Sequence, residues 1–143
     1  LGDRAGAAIT VWNLGNIAYD QGDYNEARGK WQEALAVFEE LGDRKNKAGV
    51  LHQMGVLAQD QRDYGAARHY YEESLRIAEA LRDKAGVAIS LAQTALLEEA
   101  EGNAARALEL FRQAEAIFRQ LGSPMAEQAQ RERERLERRM GSG

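Results

Sequence analysis

A period of 40 residues constrains this chain more than any other property it has. The run Leu14-Gly15-Asn16, Gly22-Asp23-Tyr24 and Ala27 lies within residues 1–40, and Leu14 recurs as Met54 and Ala27 as Ala67, each 40 residues on. Residues 41–80 repeat the first 40 in register, residues 81–120 repeat them more loosely, and Leu121 opens a fourth copy that soon diverges. Self-similarity at a fixed period marks an array in which each unit buries its apolar face only against its neighbours. The expected organisation is therefore unit one at 1–40, unit two at 41–80, a degenerate unit three at 81–120, a capping helix at 121–140 and a flexible tail at 141–143.

Each unit reads as two antiparallel helices. Abundant Ala, Leu, Glu, Gln and Arg with a single Pro favour helix throughout. The first helix of unit one is expected from about Arg4 to Gln21, with Ile9, Val11, Leu14, Ile17 and Ala18 on one apolar face at helical spacing. Gly22 ends it, and Asp23 with Glu26 three residues later spells a capping box. The second helix, about Tyr24 to Leu41, carries Ala27, Trp31, Ala34, Leu35 and Phe38 inward. Unit two follows with Val50, Leu51, Met54, Leu57 and Ala58, then Ala67, Tyr71, Ser74, Leu75 and Ile77, and Arg62 replaces the turn glycine at a modest conformational cost. Unit three keeps Leu91, Leu97, Gly102, Ala107, Phe111, Ala114 and Ile117 but has Glu98 at the Ala18 and Ala58 position.

The junction Leu41-Gly42-Asp43-Arg44 closes one helix and opens the next, with Gly left-handed and Asp as N-cap, and Leu1-Gly2-Asp3-Arg4 spells the same four residues. This opening copy suggests a piece of a longer array. Ser123-Pro124 starts a last helix whose apolar content thins to Met125, Ala129, Leu136 and Met140. The alternating run Arg131-Glu132-Arg133-Glu134-Arg135 reads as a solvated helix face.

The combination Leu14-Gly15, Gly22-Asp23-Tyr24, Ala27, Trp31 and Ala34 resembles the tetratricopeptide repeat, over about residues 1–120. That family's unit is usually about 34 residues, and the longer unit here resembles those of kinesin light chains, Pins-type polarity adaptors and bacterial regulators of the signal-transducing ATPase class. Armadillo and HEAT repeats have a similar period but lack this combination. The resemblance implies an all-α, right-handed α-solenoid of three helix-turn-helix units with a capping helix. Gly15, Gly55 and Ala95 are expected at close helix approaches facing Ala27, Ala67 and Ala107, with Trp31, Tyr71 and Phe111 filling each wedge and Tyr24 and Tyr64 bracing the turns.

The resemblance also implies a concave groove lined by the first helices, which takes a peptide or helical segment of a partner. Its positions fall on Ile9, Trp12, Asn16, Tyr19 and Asp20 in unit one, on His52, Val56, Gln59 and Asp60 in unit two, and on Ile89, Ala92, Leu96 and Glu99 in unit three. Trp12 and Tyr19 lie off the inward face, seven residues apart on one stripe, and are expected to anchor a partner. The competing expectation is that Trp12 packs on a missing upstream helix or on the neighbouring first helix. Asp20, Asp60 and Glu99 are the groove charges, so a partner of apolar and basic character is expected. Chaperone-binding members clamp a terminal carboxylate with basic residues. Trp12 and His52 stand where one such Lys would be, so no carboxylate clamp is expected.

Several classes are argued against. His52 and His69 are the only histidines, and neither has a neighbour at triad or metal spacing. With no phosphate loop or dinucleotide fingerprint, neither an enzyme nor a cofactor is expected. A net charge of −4 gives no general case for nucleic acid or anionic membrane. No apolar run approaches the roughly 20 residues of a membrane span. The lack of cysteine fits a reducing, cytoplasmic setting. The leading expectation is a non-catalytic protein-interaction module. The second is an internal regulatory or self-associating segment of a larger signalling regulator, in contact through the exposed first helix.

Overall fold

A computed structural model describes residues 3–141. Its seven helices are α1 (Arg4–Asp20), α2 (Tyr24–Leu41), α3 (Arg44–Asp60), α4 (Tyr64–Ala80), α5 (Lys84–Ala100), α6 (Ala104–Gln120) and α7 (Met125–Gly141). The described residues contain no strand, and the fold is of the all-α solenoid class. Two of the three residues expected as a tail, Ser142 and Gly143, lie outside the described residues, while Gly141 closes α7.

The repeated turn is specified by hydrogen bonding at both sides. Asp23, Asp43, Asp63 and Asp83 each accept from the backbone N–H three residues on, at 3.3, 3.2, 3.2 and 3.0 Å. Their own N–H groups close the preceding helix onto Ala18, Phe38, Ala58 and Ala78 at 2.8–2.9 Å. That closure requires a left-handed residue just before the cap. Gly22 and Gly42 supply it freely, whereas Arg62 and Arg82 adopt it at φ 62° and 55°, at a cost of about 1–2 kcal/mol each. Asn103 departs from the pattern by donating its amide to Glu98 at 2.9 Å, which gives the buried carboxylate at the Ala18 and Ala58 position a partner.

The chain divides into two compact units, one ending at Ile77 and one starting at Ala78. In the first, Ala8, Ala18, Ala27, Trp31, Ala34, Phe38, Val50, Met54 and Leu57 form one core, with Val11, Leu35 and Tyr70 packed on it. In the second, Ala95, Ala107, Leu108, Leu110, Phe111 and Leu136 form one cluster, and Ala88, Ala114, Phe118, Ala126 and Ala129 another. Leu136 and Ala129 thus dock α7 as expected, while Met125 and Met140 stay exposed.

Three expectations need correction. The apolar face assigned to α1 is not its buried face. Ala8, Gly15 and Ala18 are buried and Val11 is half-buried, but Ile9, Leu14 and Ile17 are 40%, 46% and 53% exposed. The small residues let α2 approach, and the larger ones point elsewhere. Second, the atoms nearest Gly15 and Gly55 are those of aromatic rings. A Cβ on Gly15 would lie 2.5 Å from the Trp31 indole and one on Gly55 2.5 Å from the Tyr71 ring. Third, the alternating run of α7 is not simply solvated. Arg133 donates to Glu115 of α6, and Arg135 donates to Glu99 of α5 at 2.6 and 2.7 Å.

Candidate functional site

In the first unit, α1 and α3 bring together Trp12, Asn16, Tyr19, Gln59 and Asp60. Trp12 is half-buried. Its ring meets Phe38 edge-on with centroids 6.0 Å apart, its indole N–H donates to Gln53, and Gly49 makes room for it, since a Cβ there would lie 2.6 Å from the ring. The expectation that Trp12 projects as a free anchor is thereby replaced by the competing one, packing on a neighbouring first helix. Tyr19 is also half-buried, stacked on Tyr24 at 5.5 Å and donating its hydroxyl to Asp60. Burial, and then the Asp60 carboxylate, push its ionisation far above the usual phenol range.

The groove's amides are held in the same way. Trp31, fully buried, donates its indole N–H to Asn16 Oδ1 at 3.1 Å and to the Trp12 carbonyl at 3.2 Å. Tyr71 donates its hydroxyl to Gln59 Oε1 at 3.0 Å. His52 lies beside Tyr71 with ring centroids 6.2 Å apart, and its buried Nε2 has no hydrogen-bond partner among the described residues. Burial holds its pKa below the ordinary value of 6.5. Val56 is half-buried, and Ile9 and Asp20 are exposed.

In the second unit, Ile89, Ala92 and Leu96 of α5 line a cavity of about 80 Å³ with Met125, Ala129 and Glu132 of α7. Glu99 is not a free charge. Arg135 takes both its oxygens and Arg139 donates to Oε2 at 2.6 Å, and the Arg135 hydrogen bonds, ahead of all other influences, hold its carboxyl below the usual range. Of the three expected groove charges, Glu99 is thus already paired with two arginines.

Gln53 and Arg139 were not singled out from the sequence, and Arg135 was read only as part of a solvated run, although a signal was present. Contacts between successive first helices of a 40-residue repeat should fall at a separation of one period. Glu99–Arg139 is separated by 40 residues, and Trp12–Gln53 and Tyr19–Asp60 by 41. Reading the sequence at that offset pairs these residues. Among the described residues no cluster of His, Asp and Glu could hold a metal, and no helix is long and apolar enough to cross a membrane.

Helical hairpins with a Gly/Ala–aromatic contact, an Asp-capped turn and a repeat of 40 residues define a helical-repeat protein. The family model described as tetratricopeptide repeat matches residues 7–80 and 46–120, and the chain belongs to that family. No curated protein matches it. Among solved structures, the N-terminal domain of stress-induced protein-1 (STI-1) from C. elegans is similar, with TM-score 0.71 and 17% identity over 94% of this chain and 97% of that one. BtubC (BKLC) from P. vanneervenii is similar with TM-score 0.69 and 17% identity, over 95% of this chain and 65% of that one. At such identity both likenesses speak to the fold alone. Repeats of this family are generally protein-interaction modules, and its members are typically scaffolds without catalysis.

Proposed function

We propose that the chain recognises a peptide or helical segment of a partner protein on the faces of its first helices, without catalysis. The observation that carries this reading is the fixed orientation of the polar side chains in the first unit. An indole nitrogen donates and cannot accept, so Asn16 must turn its oxygen toward Trp31 and its NH₂ away from it. Asn16 then presents donors to the main-chain carbonyls of a partner, and Gln59, anchored by the Tyr71 hydroxyl, which can donate or accept, offers the free end of its amide beside it. Such locked groups lose little freedom on binding. Val56 and Ile9 supply apolar contact, and Asp20 and Asp60 favour a basic residue in the partner. In the second unit Ile89, Ala92 and Leu96 offer an apolar stripe over a small cavity, with Glu99 neutralised.

The test is selection of peptides from a random display library on the folded chain, followed by fluorescence anisotropy with wild type, Asp60→Lys and Val56→Glu. Enriched peptides should carry apolar and basic residues, and each substitution should weaken them by about tenfold or more while helicity is retained. Selected peptides that bind both variants as well as wild type would place recognition elsewhere and sink the reading.

A further inference from the structure

The first unit carries a cleft of about 170 Å³ among α2, α3 and α4, and no residue of the recognition face described above lines it. Its floor is the buried apolar trio Met54, Leu57 and Ala58 of α3. Ala66 and the half-buried Tyr70 of α4, the latter packed on the core, complete the apolar lining. A cavity of about 150 Å³ admits a benzene ring, so the cleft has room for a group of that size. Its charged groups are Arg28 of α2 and Asp63 of the turn between α3 and α4.

Arg28 is half-buried, and its contacts leave its charge uncompensated. Nη1 donates to Asn25 Oδ1 at 3.3 Å and Nη2 to Gln61 Oε1, both neutral amide oxygens. A guanidinium has five N–H donors in a planar fork that matches a carboxylate, and these contacts take two of them. The repeat alone does not dictate a neutral acceptor here. One period on, Arg68 recurs at the Arg28 position, but an acid, Glu101, stands at the position of Gln61. Asp63 is exposed, and its Oδ1 accepts the Ala66 N–H at 3.2 Å as the cap of α4. A charge half withdrawn from water is screened less than an exposed one, so Arg28 sets the preference of the cleft.

We propose that this cleft binds a small organic acid with a ring-sized apolar body, its carboxylate on the Arg28 guanidinium and its body on the floor of Met54, Leu57 and Ala58. The carboxylate gives Arg28 the anionic partner that Gln61 does not, through the donors left over from Asn25 and Gln61. The apolar body removes water from the floor and from the Tyr70 ring. Both parts are needed. An inorganic anion leaves the floor wet, and a neutral ring leaves the arginine without a counter-charge. The cleft shares no residue with the face that receives a partner segment, so either reading can fail without the other.

The test titrates the ¹⁵N-labelled 143-residue chain with phenylacetate at constant ionic strength. Acetate, phenylacetamide and phenethylamine run in parallel: the first lacks the ring, the second the charge, and the third carries the opposite charge. Phenylacetate should move the backbone signals of Arg28, Ala58, Ala66 and Tyr70 saturably, with a Kd of about 1 mM. The other three should bind at least about tenfold more weakly. Arg28→Gln removes the charge, and Ala66→Leu fills the cleft and leaves the charge in place. Each should weaken phenylacetate by about tenfold or more while circular dichroism shows unchanged helicity. The probe series on the wild-type chain decides by itself where a variant loses helicity. No saturable response up to about 20 mM, a parallel probe that binds as tightly as phenylacetate, or an affinity unchanged in either folded variant would each overturn the proposal.

Discussion

Replacing Trp12 with Ala separates a packed ring from a free anchor. Complete removal of a buried Trp or Phe side chain costs about 3–5 kcal/mol. Trp12 is half-buried, and its edge-on contact with Phe38 at 6.0 Å adds about 0.5–1.5 kcal/mol, so a loss of about 2–3 kcal/mol is expected. Gly49 sharpens the test. Its Cβ would lie 2.6 Å from Cη2 and 2.9 Å from Cζ2 of the ring, and forcing such overlap costs about 1–3 kcal/mol. Gly→Ala in a helix interior contributes about 0.8–1.0 kcal/mol in the other direction. Gly49→Ala should therefore be neutral to destabilising in wild type, and stabilising by about 1 kcal/mol once Trp12→Ala has emptied the space. Urea unfolding of the four proteins in this double-mutant cycle, followed at 222 nm, reads both effects as shifts in midpoint at constant slope. A Trp12→Ala midpoint equal to wild type, or a Gly49→Ala effect independent of residue 12, would refute the packing described for Trp12.

Other expectations follow from single contacts. Gly15→Ala should destabilise by about 1–3 kcal/mol, because Trp31, 1% exposed, cannot retreat from a Cβ at 2.5 Å. Gly29→Ala, with nothing within 4 Å, should stabilise by about 0.5–1 kcal/mol. Chemical denaturation of the pair checks the contrast. His52 titrates lower folded than unfolded, because burial disfavours its cation. Its contribution is fully present above the ordinary value of 6.5 and is lost as pH falls below it toward the folded value. Unfolding midpoints between pH 7 and 5 should fall for wild type and fall less for His52→Leu. Glu99 shows a pH dependence of the same sign, although there the charged form is the favoured one: held low chiefly by hydrogen bonds from Arg135, its contribution is present above its ordinary carboxyl value and is lost as pH falls through the depressed one. Glu99→Gln should cost about 1–2 kcal/mol, mostly at the α5–α7 contact. Faster amide exchange confined to α7 would report it, and unchanged exchange there would contradict the pairing.

The fold was readable because the repeat states it several times over. Asp23, Asp43 and Asp83 each follow a residue that closes a helix, and Trp31, Tyr71 and Phe111 recur at one period in the buried wedge. What periodicity could not distinguish was which of two apolar stripes on α1 faces inward. Ala8, Gly15 and Ala18 form one stripe, and Leu14 and Ile17 lie on another that stays exposed. Helical spacing weights large residues, whereas close helix contact selects small ones. The candidate site was legible as a set of positions but not as a set of free groups. The partners of Tyr19, Glu99 and Trp12 lie about one period away, at Asp60, Arg139 and Gln53, where a window of local sequence does not reach.

The central claim is that the anchored amides of Asn16 on α1 and Gln59 on α3 receive a partner's main chain. The most direct measurement is a two-dimensional ¹H–¹⁵N spectrum of the labelled chain titrated with a library-selected peptide, following the side-chain NH₂ signals of Asn16 and Gln59. The account predicts that both shift on saturation along with the Val56 and Asp60 backbone signals, and that Asp60→Lys weakens the response. Saturable binding that leaves the Asn16 and Gln59 NH₂ signals in place while others move would contradict it.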